Sequence, residues 1–121
     1  MNKKVFITII VVGIAVLVGV LFFGRNESKV NLDEFAQCLS DKGVTMYGAE
    51  WGAHCQNQKK EFGDSFRLVS YVECPQNTQT CLEKGISGYP TWILPDGQKL
   101  VGEQELEKLS QKTGCPLPQA E

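Results

Sequence analysis

Basic residues never gather beyond isolated pairs in this sequence, and histidine occurs once, at position 54. Neutralising phosphates supplies most nucleic-acid affinity, so the lack of a basic cluster removes nucleic acid from the expected partners. The charge balance sharpens that exclusion: residues 31 to 121 carry eight Lys and Arg against thirteen Asp and Glu, a net of -5. Residues 1 to 30 hold Lys3, Lys4, Arg25 and Lys29 against Glu27, a net of +3. His54 and its neighbour Cys55 lack the further ligands a metal centre requires, so no metal is expected. No internal repeat or low-complexity tract is present. At 121 residues, a multidomain enzyme or large cofactor fold is excluded, and no cofactor is expected. An apolar content of 42% against 21% charged residues argues against a wholly disordered chain.

Charge is missing altogether from Val5 to Phe23, where VFITIIVVGIAVLVGVLFF has a single hydroxyl, Thr8. At 1.5 Å per residue such a helix nearly matches a hydrocarbon layer of about 30 Å. The main rival is a cleaved secretory signal, whose apolar stretch is usually about 7 to 15 residues and ends at a small-x-small site. FFGRNES offers no such site, and no cysteine directly follows the run to take a lipid. The reading is an uncleaved anchor with a short cytoplasmic lead over 1–24, a linker over 25–31, a folded domain over 32–116 and a tail over 117–121. Lys3 and Lys4 against Arg25 and Lys29 orient the span only weakly. Five cysteines fit an oxidising compartment better than a reducing cytosol, so the domain is expected on the extracytoplasmic side. Ala15 and Gly19 form a small-xxx-small pair that can bring two such helices together.

Leu32, Phe35, Ala36 and Leu39 follow helical spacing, with Asn31 as the cap and Gly43 as the stop. Val44 to Ala49 reads as a buried strand, Ala53 to Phe62 as a helix ended near Gly63, and Phe66 to Glu73 as a second strand. That is a βαβ unit, whose strands should run parallel. Thr80 to Lys84 reads as a short helix ended by Gly85. Thr91 to Leu94 and Lys99 to Val101 form a hairpin across the Pro95-Asp96-Gly97 turn, and Glu103 to Thr113 is the last helix.

Two stretches carry chemistry. Trp51-Gly52-Ala53-His54-Cys55 lies where the first strand hands over to its helix, and a helix N-terminus stabilises a thiolate. A second cysteine three residues from a first can resolve a mixed disulfide. Tyr89-Pro90-Thr91 precedes a strand, a place where proline costs a ladder hydrogen bond unless it ends a loop. With the element order, these motifs resemble the thioredoxin fold: α/β, βαβ plus ββα, a central mixed sheet flanked by helices, here after a transmembrane helix. More narrowly, the chain resembles the thioredoxin-like domain fused to, or found beside, bacterial vitamin K epoxide reductase homologues. The matching stretches include Phe35-Ala36-Gln37-Cys38-Leu39, Met46-Tyr47-Gly48, His54 to Lys59, Tyr71-Val72-Glu73-Cys74, Gly88 to Trp92 and Gly114-Cys115-Pro116.

The resemblance implies thiol-disulfide oxidoreductase ancestry, a bacterial cell membrane, protein thiols or extended peptides as partners, and a membrane quinone-linked thiol oxidoreductase beside it. It also exposes a departure. That family has Cys-x-x-Cys after the tryptophan, and here Gly52 takes the place of the first cysteine, so the attacking thiol is missing. Cys55 inherits the resolving position. One reading exposes it through the loss of bulk at Gly52, with His54 helping to hold a thiolate for single-thiol exchange; the other leaves it an inert, half-buried thiol. The resemblance further implies that Trp51, Tyr89 and Pro90 border a groove for an extended peptide. Cys74 and Cys81 frame a short loop, and Cys38 and Cys115 would tie the two ends of the domain. The resemblance supports the first pair better; the sequence alone leaves the connectivity open, because five cysteines forming two bridges allow fifteen arrangements. Three functions follow: single-thiol chemistry at Cys55, a catalytically silent peptide-binding or chaperone-like module, and a disulfide-linked tether.

Overall fold

The computed structural model describes residues 2–23 and 30–119. Arg25, Lys29 and most of the expected linker lie outside the described residues, as do the last two residues of the expected tail. Helix α1, Lys3–Phe23, is long and apolar enough to cross a membrane.

The remaining elements are α2 (Asp33–Asp41), β1 (Thr45–Gly48), α3 (Ala53–Phe62), β2 (Ser70–Glu73), α4 (Thr78–Glu83), β3 (Thr91–Ile93), β4 (Lys99–Val101) and α5 (Leu106–Thr113). Four strands form one sheet in the order β2-β1-β3-β4. The βαβ pair β1 and β2 is parallel, Thr45 facing Ser70 and Gly48 facing Glu73, whereas β1 with β3 and β3 with β4 are antiparallel. A mixed sheet of this connectivity with flanking helices is a thioredoxin-like α/β fold.

Phe35, Ala36 and Leu39 of α2 are buried with Val44 just before β1, Met46 of β1, Phe62 of α3, Trp92 of β3 and Leu109 of α5 in one core. Phe62 has its ring centroid 5.9 Å from those of Phe35, Phe66 and Trp92, so one side chain joins three elements. A smaller cluster packs Tyr47 against Cys74 and Cys81. Sulfur bridges close Cys38 to Cys115 at 2.09 Å and Cys74 to Cys81 at 2.11 Å.

Two expected elements differ from the structure. Gly63–Leu68, assigned in part to the second strand, is a 3-10 helix, and the strand starts at Ser70. Side chains pull this segment toward the start of α2. Ser65 Oγ donates to Asp33 Oδ1 at 2.7 Å and accepts from the Leu32 amide at 3.1 Å, while Arg67 grips both Asp33 carboxylate oxygens at 2.8 Å. Those partners are more than thirty residues away, so the apolar alternation Phe66, Leu68 imitated a strand. The last helix begins at Leu106 rather than Glu103, because the preceding segment is held elsewhere. Gln104 donates its amide to Gln58 Oε1 at 2.7 Å, and its carbonyl accepts from Gln58 Nε2 at 3.1 Å.

Removing the Cys38–Cys115 bridge, 77 residues apart, with paired Ala substitutions is expected to cost about 4.5 kcal/mol in the chain-entropy model, against about 2.5 kcal/mol for Cys74–Cys81. Urea unfolding of the two double variants checks that order. Asp33 makes a second case, since its contacts with Arg67 and then Ser65 hold its carboxyl down to about 2 from 3.8. A depressed carboxyl stabilises the fold above its unfolded value and loses that contribution as pH falls toward the folded one. Stability is therefore expected to fall between about pH 4 and pH 2 more steeply in the wild type than in Asp33→Asn, measured by urea midpoints across that window.

Candidate functional site

Gly52 stands before α3 in an extended conformation, and the chain turns there because its amide donates to the Ala49 carbonyl at 2.9 Å. This turn sets Cys55 in the first turn of α3 on the inward face, where it is 0% exposed. It is the only unpaired cysteine among the described residues. The expectation that the loss of bulk at Gly52 exposes the thiol is not met: strand β1 and its following turn cover it. A Cβ added at Gly48 would meet Cys55 Sγ at 2.8 Å, and one at Gly52 would meet it at 3.4 Å. Burial pushes the thiol up from its ordinary value, more than a main-chain hydrogen bond with Ala49 and the nearby Lys59 lower it. At rest Cys55 is a covered, protonated thiol.

His54 points the other way, its side chain 74% exposed. Its Nδ1 lies 2.8 Å from Glu103 Oε1, and the same oxygen accepts from Asn57 Nδ2 at 3.2 Å. These two contacts, His54 first, hold the Glu103 carboxyl below its usual range. The carboxylate is therefore ionised and Nδ1 carries the proton. Glu103 thus engages the histidine that was expected to help hold the thiolate.

The proline loop meets the motif through its aromatics. Trp51, 71% exposed, sets its ring edge to face against Tyr89 with centroids 5.9 Å apart. The Tyr89–Pro90 peptide is cis, Pro90 is buried, and its carbonyl accepts from Gly102 at 2.7 Å. Gly102 has a φ of +91°, which suits glycine, and it hands directly to Glu103. The loop, Glu103 and the start of α3 are consequently one connected unit. Cys38, Cys74, Cys81 and Cys115 stand apart from it as the two bridges, and no metal-binding group of His, Cys, Asp or Glu occurs among the described residues. A cavity of about 1030 Å³ between the start of α2 and the end of α3 shares no residue with this unit.

No family model matches the chain. It is 39% identical over 94 residues to a curated protein of Arabidopsis thaliana named Thiol-disulfide oxidoreductase LTO1, an alignment covering 70% of this chain. The described domain is thiol-oxidoreductase-like. It spans 25% of that relative's length.

Sequence reasoning missed four side chains of this thiol-oxidoreductase-like domain. Gln58, fully buried on α3, accepts from Trp92 Nε1 at 3.1 Å as well as from Gln104. Glu103 reads in the sequence as the start of the last helix, and the structure places it before that helix. Tyr71 and Glu73 enter the sequence reading as strand residues and as part of a matching stretch, without a role; Tyr71 donates to Glu73 Oε2 at 2.6 Å, and Glu73 Oε1 accepts from the Glu50 amide at 2.8 Å. No local spacing marks the contacts of Gln58 or Glu103, because their partners arrive from other elements; Tyr71 and Glu73 are neighbours on β2, but the Glu50 amide that holds Glu73 comes from the turn after β1. The one detectable oddity is a glutamine at helical spacing from Cys55 and Phe62, on the face of α3 that is otherwise apolar and buried.

The 3.4 Å between a Cβ at position 52 and Cys55 Sγ is a gap that one carbon-sulfur and one sulfur-sulfur bond of about 2.0 Å can close. Gly52→Cys is accordingly expected to form a 52–55 disulfide on mild oxidation. Thiol titration checks it: no free thiol in the oxidised variant and two after mild reduction, against one in the wild type.

Proposed function

We propose that this chain is a membrane-anchored thioredoxin-like protein, of thiol-disulfide oxidoreductase ancestry, limited to single-thiol exchange at Cys55. In this reading residues 1–24 anchor it in a bacterial cell membrane, 25–31 link, 32–116 carry the domain on the extracytoplasmic side, and 117–121 trail. The carrying observation is the lone thiol beneath Gly52. Where a first cysteine would stand there is only a hydrogen, so the sulfur of a partner protein's cysteine can occupy that space and bond to Cys55 Sγ. The thiol then exchanges with a partner disulfide: its thiolate attacks one sulfur, the partner bond breaks, and the other partner sulfur leaves with the electron pair. Trp51, Tyr89 and Pro90 receive the extended peptide that bears the partner cysteine, and a membrane quinone-linked thiol oxidoreductase is the companion whose thiolate would attack the mixed disulfide and release Cys55 as a thiol.

A second reading, a catalytically silent peptide-binding module, is favoured by the same burial, which keeps Cys55 protonated while Trp51 stays exposed beside Tyr89.

Single-thiol exchange predicts that the full chain in detergent forms a reducible mixed disulfide with a small peptide disulfide at near-neutral pH, at Cys55 and absent in Cys55→Ser. Mass spectrometry reads the adduct. Adduct formation only after unfolding, with the peptide still bound reversibly, would establish the silent module instead. The wild type should not turn over insulin reduction, whereas Gly52→Cys should gain at least about tenfold, since it restores the second thiol.

A further inference from the structure

A thiol that is 0% exposed cannot surrender its proton to bulk water while the domain stays closed, so single-thiol exchange at Cys55 requires an acceptor supplied by the protein. The charged groups around it come from three directions. On its own helix, Lys59 is a cation without a free lone pair, and His54 is engaged by Glu103 from the segment after β4. From β2 come Tyr71 and Glu73. Glu50, in the turn after β1, offers its amide to Glu73, and its carboxylate bears on Tyr71.

Gly48 makes the β2 pair stand out. The point that a Cβ at Gly48 would occupy lies 2.8 Å from Cys55 Sγ, 3.3 Å from Tyr71 Cε2 and 3.5 Å from the Tyr71 hydroxyl oxygen. Thiol and phenol therefore border one small space that exists only because residue 48 has no side chain. Beyond it the phenol donates to Glu73 Oε2 at 2.6 Å, and Glu73 is pinned on its other oxygen by the Glu50 amide. Lys59 Nζ sits 4.2 Å from the centroid of the Tyr71 ring, placing a positive charge over it. Glu73 is half-exposed, so a proton that reaches it can leave to solvent.

We propose that Tyr71 and Glu73 form a proton relay for Cys55, with the phenol as the bridging group and the Glu73 carboxylate as the terminal acceptor. The relay deepens the single-thiol reading and rests on it. The Cys55 proton passes to the Tyr71 oxygen as the Tyr71 proton passes to Glu73 Oε2. The thiolate attacks the partner disulfide, one sulfur-sulfur bond forms as another breaks, and the departing thiolate takes a proton from Glu73 or from water. No net oxidation occurs, because one disulfide replaces another. Gly48 is then a positioning residue, as are Glu50 and Lys59.

The test reads the pH dependence of the reaction of the full chain in detergent with dithiobisnitrobenzoate, an aromatic disulfide whose released thiolate absorbs visibly. Glu73→Gln keeps an acceptor for Tyr71, and Tyr71→Phe keeps the ring; both are compared with wild type after matching urea midpoints. The relay predicts that each variant slows by about 10- to 100-fold at neutral pH, that the remaining rate rises in proportion to hydroxide, and that added imidazole restores part of the loss in Glu73→Gln. If Glu73 acts only as a nearby negative charge, its removal eases thiolate formation and the rate rises; a faster or unchanged Glu73→Gln overturns the relay. A Gly52→Cys background separates this from the single-thiol reading. There a reporter thiol bonded to the new cysteine is displaced by Cys55 within the molecule. Slowed displacement in Glu73→Gln, with a wild-type Cys55 that never reacts, keeps the relay and refutes single-thiol exchange. Undiminished displacement, with a reactive wild type, does the reverse.

Discussion

One buried amide holds the working parts of this domain in register. The Gln58 side chain is sealed inside α3, and its oxygen accepts from both the Trp92 indole and the Gln104 amide while its nitrogen donates to the Gln104 carbonyl. A polar group taken from water this completely must find all its partners, and here the partners belong to β3 and to the segment after β4. That segment begins at Gly102, which bonds the Pro90 carbonyl, and continues through Glu103, which grips His54 and Asn57. The helix that carries Cys55 and the loop that carries Pro90 are thus located relative to each other by hydrogen bonds rather than by apolar packing alone.

Around that frame the site divides into a dry face and a wet one. Cys55 lies inward against Gly48, beside Tyr71, and its burial favours the neutral thiol. His54, its neighbour in sequence, faces outward into a carboxylate. A helix rotates successive residues by about 100°, so adjacent positions in the motif necessarily face different surroundings. The motif therefore does not act as a single electrostatic unit, and with Gly52 in first place there is no outward thiol for His54 to serve.

Much of the fold was legible because local signals and the tertiary structure agree. Ala53–Phe62 is bounded by Gly52 and Gly63, and Gly63 takes a φ of +58°, so both helix ends are marked in the chain itself. The hairpin at Pro95-Asp96-Gly97 is equally local. The errors fall where distant polar groups override a short apolar pattern: Ser65 and Arg67 are claimed by Asp33, and Gln104 by Gln58. The site was only half legible. Trp51 and Tyr89 do meet, as motif and loop, but the depth of Cys55 depends on what β1 lays over it, and the Glu103 and Glu73 contacts join residues separated by up to 49 positions or by a strand edge. No spacing rule encodes either.

The Cys38–Cys115 bridge joins α2, near the start of the domain, to the residue that follows the Gly114 stop of α5. Everything between those sulfurs is a covalent ring, with the Cys74–Cys81 link as a smaller ring inside it. A protease that severs one exposed loop within the ring frees no fragment, and a tension applied along the chain from its amino-terminal side is carried across the sulfurs to the carboxyl-terminal segment without extending the sheet. In an environment rich in hydrolytic enzymes and shear, the domain is held as a closed hoop rather than a thread.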